Sequence, residues 1–249
     1  MDPENATLIT GASSGIGRAI AIQLSRHRAL LLHGRDPERL EETRSLCHDP
    51  ERHGLWRCDF ADPASIAPSL IPLLDPHRHI EVFVHCAGFA TVLPARSVDH
   101  RTALASLNVN FLSAVETLNV LLKKKVNAQQ LTTVVLISSI YSRTGARAHA
   151  TYSASKAALD GWMRSLAVEL APAIRVNSIL PGAIATPIAA DSLADPEIAE
   201  NLRRDYPLGI GRADDIAGTV EFLLSSAARW ITGQELVVDG GRTVNMSLK

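Results

Sequence analysis

Cysteine and surplus charge are both scarce in this sequence. The 249 residues include three cysteines, Cys47, Cys58 and Cys86, and their spacing provides neither a disulfide framework nor paired metal ligands. The formal net charge is −1, so no overall basic field attracts nucleic acid or an anionic membrane. We therefore expect neither nucleic acid nor a membrane surface as a partner.

Long apolar runs and a leader pattern are missing as well. No apolar run approaches the roughly 18 residues needed for a membrane span, and the N-terminus shows no signal pattern. We therefore expect a protein of a reducing compartment, the cytoplasm. The nine histidines form no H-E-x-x-H motif and none pairs with a cysteine cluster, so we expect no metal site.

Three polar residues in the second half of the chain predict a reaction. Tyr152 and Lys156 are four positions apart and therefore project from one face of a helix. A nearby ammonium favours phenolate, so we expect the pKa of Tyr152 to fall from about 10 toward the working pH. Ser139, thirteen residues before the tyrosine, could hold a carbonyl oxygen beside it. Such a tyrosine can donate or accept a proton, which predicts carbonyl–alcohol interconversion with a separate source of hydride.

A glycine-rich turn near the N-terminus predicts the site of the hydride carrier. Residues Thr10–Gly17 read TGASSGIG, after the apolar run Ala6–Ile9 and before the periodic stretch Arg18–Leu24. Glycines allow the backbone to approach a pyrophosphate closely, and a helix N-terminus offers free N–H groups to it. The spacing is G-x-x-x-G-x-G rather than the common G-x-G-x-x-G, so taken alone it would also fit an ordinary tight turn.

Together, these two motifs resemble those of the short-chain dehydrogenase/reductase family, and the resemblance extends over essentially the whole chain. It implies a Rossmann fold and a nicotinamide cofactor. The further matching segments are Cys86-Ala87-Gly88, Asn110, Pro181-Gly182 followed by Thr186, and Asp239-Gly240-Gly241.

The resemblance also implies a role for each catalytic residue. Tyr152 protonates the substrate oxygen in reduction, or removes the alcohol proton in oxidation. Lys156 additionally hydrogen-bonds the nicotinamide ribose, and Ser139 orients and polarises the carbonyl. Asn110 would position a water in a proton path behind Lys156, although a helix-interior asparagine bonded to nearby backbone is the alternative. Ser138 is adjacent to Ser139, but strand alternation lets only one of them face the site, and the family spacing matches Ser139.

One matching segment departs from the family pattern. Cys86 stands where the family has an asparagine that holds the central strands together, so local polar bonding could be replaced by packing. Gly88, which permits close cofactor approach, is present. The cofactor-binding residues implied by the resemblance are Gly11, Ser13, Ser14, Gly15, Ile16, Gly17, Arg35, Asp59, Ala87, Gly88, Tyr152, Lys156, Pro181, Gly182, Ile184 and Thr186.

Apolar, strand-like runs alternate with helical stretches along the chain, as in a parallel sheet that is covered on both faces. No repeat or change in composition marks a domain boundary. We predict one α/β domain over residues 1–249, a doubly wound Rossmann domain with a seven-stranded parallel sheet and helices on both faces. The predicted strands are Ala6–Ile9, Leu30–His33, Gly54–Cys58, Ile80–His85, Thr133–Ile137, Arg175–Ile179 and Glu235–Val238, and the most evident helices are Thr151–Leu170 and Asp214–Leu224.

The end of the second predicted strand favours NADP(H) over NAD(H). An acidic residue there would bind the ribose hydroxyls of NAD, but by resemblance Gly34 occupies that position and Arg35 follows. A guanidinium can bind a 2′-phosphate through paired hydrogen bonds. Asp36 is expected to cap a helix that begins at Pro37. Asp59 resembles the family's adenine-contacting aspartate, whereas Asp62 is the better candidate for a helix cap.

The substrate is less well defined by the sequence. Residues 184–211 follow the Pro-Gly motif, where relatives have a mobile lid, and their mixture of apolar and charged residues suits a partly apolar pocket cover. A moderately apolar ketone or aldehyde would fit, and so would a β-ketoacyl thioester. His149 could lie near the active-site mouth, although a surface-loop histidine is the preferred interpretation. Arg203 and Arg204 could face an acidic carrier or simply solvate a helix, which we favour.

Two classes of function fit the sequence, and an oligomer is expected in either case. The first is an NADP(H)-dependent carbonyl reductase or alcohol dehydrogenase, with a 3-oxoacyl-carrier-protein reductase as the alternative within this class. The second is a non-catalytic NADP-sensing regulatory protein, which the presence of Tyr152 and Lys156 disfavours. Relatives form tetramers or dimers, and the Tyr152 helix is apolar over more of its circumference than one core stripe requires. Its apolar residues are Ala157, Ala158, Leu159, Trp162, Met163 and Leu166.

Overall fold

Seven parallel strands form one sheet. The computed structural model describes residues 4–74, 78–187, 194 and 196–246. All seven strands form where the apolar runs predict them, with ends that differ by at most two residues. The strands are β1 Glu4–Thr10, β2 Ala29–Gly34, β3 Gly54–Arg57, β4 Arg78–His85, β5 Thr133–Ile137, β6 Arg175–Pro181 and β7 Glu235–Val238.

The strand order creates a crevice at the centre of the sheet. The order is β3-β2-β1-β4-β5-β6-β7, and all the strand pairings are parallel. The chain leaves β1 toward one side and β4 toward the other, so their carboxyl ends flank a gap where ligands bind in sheets of this kind. The doubly wound sheet that the sequence predicted is confirmed.

Helices pack on both faces of the sheet. Consecutive strand residues belong to different apolar clusters: Leu8 lies in one with Leu118 and Met163, and Ile9 in the other with Ile20. This alternation places one cluster on each face. The helices are α1 Gly15–Leu24, α2 Pro37–Leu46, α3 Ile66–Leu70, α4 His100–Leu107, α5 Ser113–Leu121, α6 Lys124–Asn127, α7 Ala150–Glu169, α8 Pro196–Asp205 and α9 Ala213–Leu224.

Aspartate caps fix two of the turns near the predicted cofactor site. The Asp36 carboxylate accepts the N–H groups of Glu38 and Arg39 at 3.0 and 3.2 Å, which confirms it as the cap of α2. Asp62 likewise accepts the Ala64 N–H at 3.2 Å. Its neighbour Asp59 is thus left at the carboxyl end of β3.

A π-helical turn joins α4 to α5. It spans Asn108–Leu112, and the Ser113 N–H bonds the carbonyl of Asn108, five residues back. The continuous stretch His100–Leu121 has 22 residues, and an 18-residue window within it has a mean hydropathy of 1.2, with 44% of that window buried in the fold. By length and composition, this helix could cross a membrane. The stretch is not an unbroken apolar run, because polar residues such as Asn108, Asn110 and Glu116 interrupt it, and it meets the criterion through its mean hydropathy. A core helix passes the same test.

The ends of the predicted lid, residues 184–211, are joined. Ile184 and Gly211 form a parallel β-bridge, and the Ala185 N–H donates to the Gly211 carbonyl at 2.9 Å. Helix α8 lies between them. Residues 188–193 and 195 of this predicted lid are outside the described residues, as is the side chain of Arg203.

Candidate active site

The structure brings the predicted catalytic trio together. Ser139 follows β5, and Tyr152 and Lys156 lie one turn apart on α7. The Ser139 hydroxyl faces the phenol of Tyr152 and lowers its pKa. The Lys156 Nζ donates to the Ile137 carbonyl at 2.8 Å and lies 5.9 Å from the centroid of the Tyr152 ring. A phenol, a hydroxyl and an ammonium thus share one corner beyond the carboxyl end of β5.

Burial, rather than the lysine charge, dominates the acidity of Tyr152. Burial raises the pKa of Tyr152 to about 12, and the Ser139 hydroxyl is the group that lowers it. The pKa of Lys156 falls to about 8, chiefly because burial disfavours the ammonium. The expectation that Lys156 lowers the pKa of Tyr152 toward neutrality is therefore wrong for this structure. The phenol of Tyr152 therefore keeps its proton at neutral pH.

The two adjacent serines have separate roles. Ser138 points away from Tyr152, because its Oγ donates to the Asp160 Oδ2 at 2.9 Å and lies 3.3 Å from the Lys156 carbonyl. Ser139 instead faces Tyr152, and its Oγ also accepts the Tyr141 N–H at 3.2 Å. Strand alternation predicted that only one serine would face the site, and the structure selects Ser139.

Asn110 is fully buried in the π-helical turn, where its amide joins three parts of the chain. Its Oδ1 accepts the Phe89 N–H at 2.9 Å, and its Nδ2 donates to the Phe89 carbonyl at 3.0 Å and to the Ser155 Oγ at 2.9 Å. A Cβ at Gly88 would lie 3.1 Å from the Asn110 Oδ1 and 3.2 Å from the Lys156 Nζ. Asn110 therefore holds the loop after β4 beside the lysine. A water-mediated proton path through it stays a prediction.

Two glycines of the glycine turn, Gly11 and Gly17, have no room for a side chain. Gly11 has φ +68°, and a Cβ on it would lie 2.8 Å from the Ala87 backbone. A Cβ on Gly17 would lie 2.2 Å from the Gly11 carbonyl oxygen. Ser14 precedes α1 without a side-chain cap, which leaves the first N–H groups of the helix to a ligand. These features fit the pyrophosphate of a dinucleotide.

The remaining predicted cofactor residues line the same crevice. Gly15 faces Thr186, since a Cβ on the glycine would lie 3.3 Å from the threonine side chain. Gly182 is packed so tightly that a Cβ would lie 2.7 Å from the Tyr206 ring, whose Oη accepts the Ala183 N–H at 2.9 Å. Tyr206, a residue of the predicted lid, thus holds the Pro-Gly segment in place. Ser13, Ile16, Ala87, Gly88, Pro181 and Ile184 stay predicted cofactor residues.

The adenosine end of the crevice is marked by an exposed cation. Arg35 is exposed and makes no ion pair or hydrogen bond with the residues that the structure describes. A Cβ on Gly34 would lie 3.2 Å from the Ser13 Cβ and the Leu40 Cδ1, so little space exists there for an acidic side chain. Asp59 is exposed, and its Oδ1 accepts the Ala61 N–H at 3.0 Å.

Two buried histidines beneath this crevice were not identified by sequence reasoning. His33 bonds Gly11 and Cys58, and its ring stacks on Phe60 with centroids 3.8 Å apart. His85 bonds the hydroxyl of Thr10 at 3.0 Å. Burial lowers the pKa of both imidazoles to about 3, so both are neutral. Their position near strand ends was visible in the sequence, but nothing there indicated their partners.

The Thr10 hydroxyl compensates for the departure at Cys86. It accepts the N–H groups of Cys86 and Ala87 at 3.0 and 3.2 Å. Because both of its lone pairs are then used, its proton goes to the His85 Nδ1. This bonding ties β1 to β4, the task that the family assigns to an asparagine at position 86. The Cys86 side chain itself packs against the apolar cluster that contains Ile9 and Ile20, as the sequence predicted, while the Thr10 hydroxyl provides polar bonding between the strands. Burial raises the pKa of Cys86 to about 12.

His149 lies close to the reacting corner. It immediately precedes α7, is half-buried, and its ring centroid is 6.3 Å from that of Tyr152 and 5.1 Å from that of Tyr141. Its Nδ1 lies 2.7 Å from the Arg147 carbonyl, so Nδ1 carries a proton and Nε2 accepts in the neutral ring. The structure thus favours the active-site alternative for His149 over a surface loop.

Known proteins resemble this chain along nearly its full length. A family model described as Enoyl-(Acyl carrier protein) reductase matches residues 11–243. The chain is similar to L-rhamnose 1-dehydrogenase (NAD(P)(+)) of Azotobacter vinelandii, with 31% identity and coverage of 98% of each protein. It is 30% identical to D-erythrulose reductase of Gallus gallus, over 96% of this chain and 95% of the relative. A solved structure of a 4-hydroxyisoleucine dehydrogenase mutant complexed with NADH and succinate matches with TM-score 0.89 and 25% identity, over 98% of this chain and 100% of the other.

Proposed function

We propose, from the premise that this chain belongs to the short-chain dehydrogenase/reductase family of NAD(P)-dependent oxidoreductases, that it interconverts a small polyhydroxylated carbonyl compound and its alcohol with NADP(H). The observation that carries this proposal is the corner formed by Ser139, Tyr152 and Lys156 at the carboxyl edge of the sheet. Residues of the crevice beside it fit a dinucleotide, which supplies or accepts the hydride when bound.

Tyr152 is the proton donor in reduction. Its raised pKa keeps the phenol protonated at neutral pH, so a proton is in place when the substrate oxygen becomes negative. Ser139, which faces the phenol and lowers its pKa, orients the same oxygen and stabilises the phenolate that remains. Lys156 would hydrogen-bond the nicotinamide ribose. In oxidation, the same groups act in reverse. Asn110 would hold a water that returns a proton from solvent.

A polyhydroxylated substrate is favoured by the polar wall near Tyr152. In its neutral form, His149 has Nδ1–H committed to the Arg147 carbonyl and therefore offers Nε2 as an acceptor, which suits a hydroxyl better than a carboxylate. The phenol of Tyr141 adds a second polar group beside it. The names of two relatives describe action on rhamnose and erythrulose, both polyhydroxylated carbonyl compounds.

The NADP(H) preference rests on Arg35 and the tight space at Gly34. We expect Arg35→Glu to raise the KM for NADPH by about tenfold to a hundredfold, because it removes a charge-assisted pair with the 2′-phosphate. The KM for NADH should change little. Arg39→Glu, an exposed cation on α2, is the control for general surface charge. An unchanged NADPH/NADH ratio for Arg35→Glu would contradict the cofactor preference.

We also propose a substrate lid over residues 184–211, hinged at the bridge of Ile184 to Gly211.

We further propose that the protein is a homo-oligomer, a tetramer or dimer, and that it is located in the cytoplasm. The outer face of α7 supports assembly: Val168 is 82% exposed, and the small side chains of Ala154 and Ala157 are exposed on the same helix. Light scattering at micromolar concentration tests the assembly, and a monomer there would contradict it.

The central experiment follows NADPH absorbance with a panel of aldoses, short ketoses, a hydroxy acid, a simple ketone and acetoacetyl thioester. We expect turnover of at least one polyhydroxylated compound, and Tyr152→Phe should lower it by about a thousandfold while the Kd for NADPH is retained. Preferred turnover of the thioester would support a 3-oxoacyl-carrier-protein reductase. Tight NADPH binding without any turnover would indicate a sensor instead.

A further inference from the structure

The ring of His33 joins two cofactor-facing segments that are distant in the sequence. Its Nδ1 accepts the N–H of Gly11, in the glycine turn, at 3.3 Å. Its Nε2 lies 3.1 Å from the carbonyl of Cys58, the residue before Asp59. Because a carbonyl can only accept, Nε2 carries the ring proton and Nδ1 is the acceptor. Both nitrogens are therefore used, and a single tautomer satisfies both bonds.

The environment of His33 keeps this ring in place. The residue is 3% exposed, and its ring lies nearly parallel to that of Phe60, with an interplanar angle of 10°. The backbone adds to the same connection, since the Ala12 N–H donates to the His33 carbonyl at 2.8 Å. Among the described residues, the imidazole is the only side chain that forms hydrogen bonds to both the glycine turn and the segment that ends in Asp59.

We propose that His33 is a positioning residue for the cofactor, which fixes the distance between the glycine turn at the pyrophosphate and the Asp59 loop at the adenine. The inference rests on the dinucleotide crevice of the proposed function. His33 acts through Gly11 and Cys58, without touching the reacting atoms. Its loss should weaken the adenine half of the cofactor and leave the chemistry at Tyr152 intact.

His53 provides a matched control. It is 2% exposed, its Nδ1 accepts the Leu30 N–H at 3.2 Å, and its Nε2 lies 2.8 Å from the His48 carbonyl. The bonding pattern is thus the same as that of His33. Leu30 lies at the amino-terminal part of β2, however, away from the carboxyl edge that holds the crevice. A phenylalanine at either position removes both ring hydrogen bonds within a buried site.

The test compares His33→Phe with His53→Phe in the full-length protein. Binding of NADPH and of 2′,5′-ADP, which lacks the nicotinamide, is measured by titration calorimetry, and Tm is measured without ligand. We expect His33→Phe to raise both Kd values by about tenfold or more, whereas His53→Phe should change them by about twofold or less. Both variants should lower Tm. With saturating NADPH, kcat of His33→Phe should remain near that of the wild type.

Two further measurements keep the proposal testable if His33→Phe does not fold. His33→Asn keeps an acceptor for Gly11, and His33→Gln keeps a donor for Cys58, so each should weaken 2′,5′-ADP binding less than the loss of both bonds. Nitrogen-15 NMR of the ligand-free protein should show His33 protonated at Nε2 alone. Protonation at Nδ1, or 2′,5′-ADP binding by all His33 variants as tight as by His53→Phe, would overturn the proposal. Failure of the wild type to bind NADPH or NADH would overturn the proposed function as well.

Discussion

The two halves of the carboxyl edge of the sheet differ in the chemical groups that form the site. Around β1 and β2, the site consists of glycines, backbone N–H groups and a neutral histidine, with Arg35 as an exposed charge at its end. Around β5 and α7, it includes the half-buried Tyr152, whose pKa is displaced upward, and the buried Lys156, whose pKa is displaced downward. The first half depends on the absence of side chains, and the second on the electrostatic environment of those present. Substitutions should therefore fail in different ways in the two halves.

The largest effect is expected from a single methyl group in the glycine half. Gly17→Ala would place a Cβ 2.2 Å from the Gly11 oxygen, so the turn must shift, NADPH binding should be lost, and stability should fall by about 1–3 kcal/mol. Gly218→Ala in α9 is the control, since a Cβ there meets nothing within 4 Å and alanine should stabilise that helix by up to about 1 kcal/mol. Urea unfolding and NADPH titration measure both. Wild-type affinity in Gly17→Ala would show that the glycine turn does not depend on its tight contact.

The paired serines test the catalytic half with a smaller expected effect. Ser139→Ala should lower kcat by about a hundredfold, because the oxygen of the substrate loses a positioned donor, and the Kd for NADPH should not change. Ser138→Ala should keep kcat but cost about 1–3 kcal/mol of stability, since the buried Asp160 carboxylate loses its hydroxyl donor. Steady-state kinetics and urea unfolding separate the two variants. Equal losses of kcat would mean that the serines act as one structural unit.

The smallest effect concerns pH and stability. Because burial lowers the pKa of Lys156 from 10.5 to about 8, the unfolded chain binds more protons than the folded one between these values, and stability from this group rises with pH there. The full rise, about 3 kcal/mol, is complete only above pH 10.5, so about 1 kcal/mol of it falls between pH 7 and pH 9. Below pH 8 the cost of the buried charge is fully present. Urea unfolding of wild type and Lys156→Met at pH 7.0, 8.0 and 9.0 measures the difference. Parallel curves for the two proteins would contradict the lowered pKa.

The fold could be predicted from the sequence because its strands are unbroken apolar runs. Thr133–Ile137 and Glu235–Val238 have the predicted ends, whereas β6 continues two residues further, to Pro181. A proline is tolerated there because it is the last residue of the strand, and the next N–H, that of Gly182, donates to the Val238 carbonyl at 3.0 Å. The trio of the site was equally visible, since its spacing follows from helical and strand geometry.

Burial and partner choice could not be predicted in the same way. The pKa of Tyr152 depends on how completely neighbouring elements exclude water from it, and no local pattern carries that information. The hydrogen-bond partners of His33 are 22 and 25 positions away in the sequence. The residue types of the π-helical turn around Asn110 do not distinguish it from an ordinary α-helix. These features arise from tertiary packing, which assigns a role to residues that look ordinary in the sequence.

The π-helical turn has a consequence for how the chain can change in length. A regular α-helix advances by about 100° per residue, so the extra residue in Asn108–Leu112 sets the relative rotation of α4 and α5. Removing one residue from this turn would restore a continuous α-helix and rotate all of α5 against α4 by about that angle, taking the Asn110 amide away from Phe89 and Ser155. We therefore expect substitutions at exposed positions of this helix to be tolerated far more readily than the deletion of one residue. The rotational register of α5 relative to α4 is itself required for the active site.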